Sequence, residues 1–115
     1  MAAKYDIVCD QGATFSRQLT WLDDSSSAVN LTGYTARMQV RETVESSSTL
    51  LSLTTENSRI ALGGTAGTIT LTVTAADTAA VVAGHYVYDL ELVSGSGTVY
   101  RLVQGCFTVD AEVTR

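Results

Sequence analysis

Apolar and polar residues alternate with a period of two along much of this chain. Tyr34, Ala36, Met38 and Val40 alternate with Thr35, Arg37, Gln39 and Arg41. Ile69, Leu71 and Val73 alternate with Thr68, Thr70, Thr72 and Thr74, and Tyr86, Tyr88, Leu90 and Leu92 with Val87, Asp89, Glu91 and Val93. Phe15, Leu19 and Trp21 share a fourth face, interrupted by Arg17, and this series places Trp21 in the core. Successive side chains of a strand point to opposite faces, so each run predicts a strand with one buried and one wetter face, the antiparallel signature.

Shorter strands are predicted at Tyr5–Val8, Leu50–Thr54, Arg59–Leu62, Thr98–Val103 and Phe107–Val113. Ser94-Gly95-Ser96-Gly97 suits a tight hairpin, and Gly63-Gly64-Thr65-Ala66-Gly67 a second one. Asp23-Asp24-Ser25-Ser26-Ser27 reads as a turn, and Glu45-Ser46-Ser47-Ser48 as a mobile loop. One segment breaks the pattern. Thr74 with Asp77 forms a start resembling a capping box, Ala75–Val82 favours a helix, and Gly84 can stop it. About eight or nine strands separated by regular turns predict an all-β fold. The expected architecture is an immunoglobulin-like antiparallel β-sandwich with one short helix near residues 75–82, a single domain over residues 1–115. The antibody pattern of two cysteines bracketing a tryptophan is not met, because Cys9 and Cys106 lie near the ends and Trp21 follows Cys9 too soon.

Composition narrows the function classes. Charged residues make up 17% of the chain, against about 25% in an average domain, and Ser and Thr fill the difference. The net charge is −5, with seven Lys and Arg in all. That is too few for a basic stripe, which argues against nucleic acid as a partner, and the acidic balance gives no attraction to anionic membranes. The opening MAAKYDIV has no apolar core of signal-peptide length. No apolar run reaches the roughly 20 residues of a membrane span. The expectation is a soluble protein made in the cytoplasm. A Cys9–Cys106 disulfide is open geometrically, since first and last strands are often neighbours; two buried thiols are preferred, because nothing points to an oxidising compartment.

Candidate chemistry is sparse. The single histidine, His85, has Asp89 as a nearby carboxylate, but four strand residues separate them by roughly 13 Å. Neither cysteine has a neighbouring histidine or a second cysteine at metal-binding spacing. The Gly63–Gly67 run lacks the Lys and the following helix of a phosphate-binding loop. The acidic residues lack the spacing of a calcium loop. The sequence therefore predicts no enzyme, no cofactor and no metal site. Protein contact is the remaining class. Arg37, Gln39 and Arg41 project from one strand on the side opposite its core residues, and they are the predicted interface. Pairing of the arginines with Asp89 or Glu91 inside the chain is the equal alternative.

Three segments carry a resemblance. Asp10-Gln11-Gly12-Ala13-Thr14-Phe15 is followed by Leu31-Thr32-Gly33-Tyr34-Thr35-Ala36-Arg37-Met38-Gln39-Val40-Arg41, and then by Ala83-Gly84-His85-Tyr86-Val87-Tyr88-Asp89-Leu90-Glu91-Leu92. Their order resembles small tail and baseplate proteins of tailed bacteriophages and prophages, in particular the N-terminal domain of the upper baseplate protein family. The resemblance implies a virion structural protein, synthesised in the bacterial host cytoplasm. Its role would be that of a tail or baseplate adaptor that binds ring, fibre or spike proteins in several copies per particle. In that family a C-terminal fibre or helical extension follows the sandwich, whereas this sequence stops at Arg115, so a free-standing adaptor or cementing module is expected. A capsid decoration protein bound to the major capsid protein is the second reading. A carbohydrate- or receptor-binding module is the third.

Overall fold

A computed structural model describes residues 3–114. In chain order these form β1 (Ala3–Lys4), β2 (Ile7–Asp10), β3 (Phe15–Thr20), β4 (Thr35–Arg41), β5 (Leu51–Thr54), β6 (Ile60–Leu62), β7 (Thr68–Val73), the helix α1 (Ala75–Ala79), β8 (Gly84–Val93) and β9 (Val99–Asp110). The larger sheet runs β9, β8, β4, β5 in antiparallel order, with β1 and β2 both parallel to β9 on its other edge. The smaller sheet is β3, β7, β6, also antiparallel. The two sheets make an immunoglobulin-like β-sandwich with one short helix.

The alternating runs become the facing inner surfaces. Ala36, Met38 and Val40 of β4, Ile69, Leu71 and Val73 of β7, and Tyr86, Tyr88, Leu90 and Leu92 of β8 are all buried in one cluster. Phe107 joins the sheets at its centre, edge-on to Phe15 of the opposite sheet at 5.9 Å and to Tyr88 at 6.3 Å between ring centroids.

The structure corrects four local expectations. The segments Thr98–Val103 and Phe107–Val113 belong to one strand, β9, ending at Asp110. Gln104-Gly105 is no break: a Cβ at Gly105 would sit 2.6 Å from the Tyr5 carbonyl oxygen, so glycine lets β9 pass beneath the β1–β2 link. The helix spans five residues and ends well short of Val82. Val81 then drops into the core, and Gly84 opens β8 rather than stopping the helix. Cys106 is exposed while Cys9 is buried, because Phe107 takes the inward position beside it, and both thiols are free. Trp21 is half-buried at the rim, packed edge-on against Tyr34 and Tyr100.

Arg17 resolves its misfit with the inward face by leaning over the open side of the sandwich. Its guanidinium donates to the Tyr5 hydroxyl at 3.1 Å and to the Val8 carbonyl at 3.2 Å. At the opposite side Arg59 bonds the Ser52 carbonyl at 2.9 Å and pairs with Asp77 of α1 at 2.7 Å.

Replacing Phe107 with alanine should cost about 3–5 kcal/mol, the usual cost of emptying an aromatic core site. Trp21→Ala should cost less, because its site opens to solvent; chemical denaturation of both variants checks the ranking. The Arg59 hydrogen bond, aided by Thr74, holds the Asp77 carboxyl below the ordinary carboxylate value of 3.8. A lowered value means that the stabilisation is full above 3.8 and is lost as pH falls through the lowered value. The melting-temperature gap between the native protein and Asp77→Asn should therefore hold steady near neutral pH and close in acid.

Candidate protein-docking surfaces

The pleat that buries one side of β4 and β8 presents the other to solvent, and the register lines up its side chains in rows. Arg37 faces Glu91, which faces Arg101. Gln39 faces Asp89, which faces Gln104, and Lys4 lies beside Gln104. Arg41 faces Val87, which faces Cys106. The three predicted interface residues thus share this outer face. The structure adds Lys4 and Arg101, which the sequence reading did not place there. A bulge opposite Leu90 and Glu91 shifts the register of β9, so that Arg101 turns outward. That shift is visible only once the partner strand is known.

Four of the chain's seven cations, Lys4 on β1, Arg37 and Arg41 on β4 and Arg101 on β9, therefore stand on one face, with β8 and its Asp89 and Glu91 between β4 and β9. Two of them pair within the chain. Arg37 Nε meets Glu91 Oε1 at 2.8 Å, and Arg101 Nε meets Asp89 Oδ2 at 3.5 Å. Exposed pairs of this kind add about 0–1 kcal/mol and chiefly orient the side chains. Arg41 has neutral acceptors, the Ser46 carbonyl at 2.9 Å and Gln39 Oε1 at 2.8 Å. Lys4, Gln39, Arg41, Val87, Asp89 and Arg101 line a shallow depression of about 550 Å³. The far end of the same face, where β2 meets β9, carries Asp10 directly beside Asp110. The face is divided into a basic and an acidic half.

A second surface lies at the rim. Gly67, at φ +68°, lets the β6–β7 connection approach the Trp21 and Val29 carbonyls, where a Cβ would meet both at 3.0 Å. The Gly67 carbonyl accepts the Trp21 N–H at 2.9 Å. So anchored, Trp21 meets Tyr100 at 5.3 Å and Tyr34 at 6.2 Å between ring centroids. Trp21, Glu91, Val99, Tyr100, Arg101 and Leu102 line a groove of about 610 Å³.

The titratable groups elsewhere are structural. Burial raises the Cys9 thiol above its usual value, with Asp10 adding to the rise and Arg17 opposing it. Burial likewise raises the Tyr88 phenol, whose hydroxyl donates to the Tyr5 carbonyl. His85 is exposed, with Thr108 Oγ1 3.2 Å from its Nδ1. Among the described residues no three His, Cys, Asp or Glu side chains gather as a metal site.

No protein-family model matches the chain, and no curated protein matches it by sequence. Several solved structures resemble it in shape. CopC from Methylosinus trichosporium OB3b superposes with a TM-score of 0.50 at 13% identity, covering 99% of this chain and 90% of that one. The extracellular domain of the voltage-gated sodium channel beta4 subunit gives 0.43 at 12% identity, covering 98% and 96%. Drosophila OTK extracellular domains 3–5 give 0.35 at 17% identity, covering 95% and 33%. At such identities the CopC likeness shows the sandwich fold alone, and the two fainter ones add nothing to it.

The opposite settings of the two thiols give a direct check of the face assignment. Iodoacetamide should label Cys106 in the native state, and Cys9 only after unfolding, as read by peptide mass spectrometry. Equal native labelling would contradict the placement of Cys9 in the core.

Proposed function

We propose that this domain is a bacteriophage structural adaptor that docks on a neighbouring virion protein of the tail or baseplate through the basic half of its outer face. The observation that carries the reading is the gathering of Lys4, Arg37, Arg41 and Arg101 on one sheet face, flanking Asp89 and Glu91 of β8, in a chain whose net charge is −5. Cations set against an acidic background steer and orient a protein toward an acidic partner more than they add raw affinity. Gln39 and Gln104, one on each side of Asp89, offer amide donors and acceptors that fix the register of such a contact. The motif order described above supports the virion setting, since Arg37, Gln39 and Arg41 all fall within one of its segments.

Arg37→Gln combined with Arg41→Glu removes two of the cations without setting a like charge opposite Glu91. Stability should change by less than about 1 kcal/mol. The number of copies incorporated per assembled particle should fall, and added salt should weaken the residual attachment. Normal incorporation at a normal melting temperature would remove this face as the interface.

A further inference from the structure

The charges on the outer face of the larger sheet follow one order along β9. β1 and β2 lie end to end beside that strand and run in the same direction. Lys4 stands beside Gln104, and further along Asp10 stands beside Asp110. All four side chains are exposed. Like charges on directly paired positions repel. Among the described residues no cation forms an ion pair with Asp10 or Asp110, and no carboxylate forms one with Lys4.

Midway between those two ends the face loses its charge. Phe107 points inward there, with the outward positions Cys106 and Thr108 on either side of it. Val87 lies beside Cys106, while Val8 and His85 flank Thr108. Val8 is 50% exposed. Opposite charges therefore stand at equal distances from a weakly polar middle. A half turn about a line that crosses the strands at Phe107 carries the Lys4 end onto the Asp10 end. A patch that is its own complement under a half turn is what a two-fold contact requires.

We infer that this face pairs with the same face of a second copy of the chain, about a two-fold axis at the level of Phe107. Lys4 of each copy meets Asp10 of the other, and the Gln104 amide meets Asp110. Val8, Val87 and Cys106 are covered between the sheets. The overlap spans the edge strands, β9 and β8 over about seven residues, roughly 400 Å² per copy. That is the size of a weak, reversible interface. Such a dimer opens when a stronger partner takes the basic half, so the inference neither rests on the adaptor reading nor excludes it.

Sedimentation equilibrium of the whole chain at low salt, from about 1 µM to about 1 mM, reads the pairing. The mass should double across that range, and added salt should move the midpoint to higher concentration. Lys4→Glu and Asp10→Lys should each weaken pairing at least about tenfold, because each sets like charges against one another. Mixed in equal amounts, the two variants should pair with each other as native chains do. The new carboxylate at position 4 then meets the new ammonium at position 10, and the remaining native groups still meet. A bismaleimide spanning about 10 Å, the spacing of stacked sheets, should join native chains through Cys106 and leave Cys9 unmodified, as read by peptide mass spectrometry. None of these readouts involves particle incorporation, so the adaptor reading stands or falls on its own test. A single mass up to about 1 mM would overturn the inference and leave the face to another partner. Unchanged pairing in both single variants, or no recovery in their mixture, would overturn it equally. If a variant does not fold, the cross-link decides: no Cys106-linked pair at concentrations where the mass has doubled rejects this face.

Discussion

Tyr88 and Gly105 face each other across β8 and β9, and the rest of the sandwich depends on the pairing of those two strands. β8 supplies four consecutive inward positions to the core, all of them buried. β9 supplies Phe107, which packs against rings from both sheets. Gly105 leaves room above β9 for the Tyr5 carbonyl, which accepts the Tyr88 hydroxyl. A buried phenol without an acceptor is costly, so this contact fixes the β1–β2 link at the one height where the hydroxyl is satisfied. β1 and β2 then fall into parallel register along β9. A side chain at position 105 would displace the link and with it the strands on that edge.

The polar clamp at one end of the sandwich follows from that placement. The Gln11 side chain donates to the Val81 carbonyl at 2.7 Å and accepts the Glu112 N–H at 2.9 Å. The buried Thr78 hydroxyl donates to the Ala13 carbonyl at 2.8 Å and accepts the Gly12 N–H at 3.1 Å. One short helix, the β2–β3 turn and the tail after β9 are thereby tied together. A five-residue helix has little stability of its own. Its place is set by these bonds, by the Thr74 cap and by the ion pair from Arg59.

Much of this was legible in the sequence, for a simple reason. A period of two in side-chain polarity is enough to assign the two faces of a strand, so the inner rows of β4, β7 and β8 and the outward set Arg37, Gln39 and Arg41 could be read directly. What could not be read depends on neighbours. The Gln104-Gly105 pair looks like an interruption until Tyr5 is known to lie over it. Arg101 and Lys4 join the outer face only through a bulge and a parallel pairing, neither of which has a local signature. Residue type alone places Cys106 in the interior, and the parity imposed by the buried Phe107 overrides that preference. Trp21 follows the inward series but sits beyond the last residue of β3, where the sheet no longer covers it.

The three segments singled out in the sequence divide between these two kinds of information. Gln11, Gly12 and Ala13 are consumed by the clamp, with their polar groups bonded inside the fold. They mark an architecture and say nothing of what it binds. The second and third segments are different, because each is a strand with two faces. Ala36, Met38, Val40, Tyr86, Tyr88 and Leu90 hold the core, while Arg37, Gln39, Arg41, Asp89 and Glu91 alternate with them on the solvent side. The inward residues are constrained by packing density, so substitutions there act on stability. The outward residues escape that constraint, and at least Arg41 is held only by neutral acceptors. What distinguishes one domain of this architecture from another in its choice of partner is therefore written in alternate residues of the same strands that make the fold.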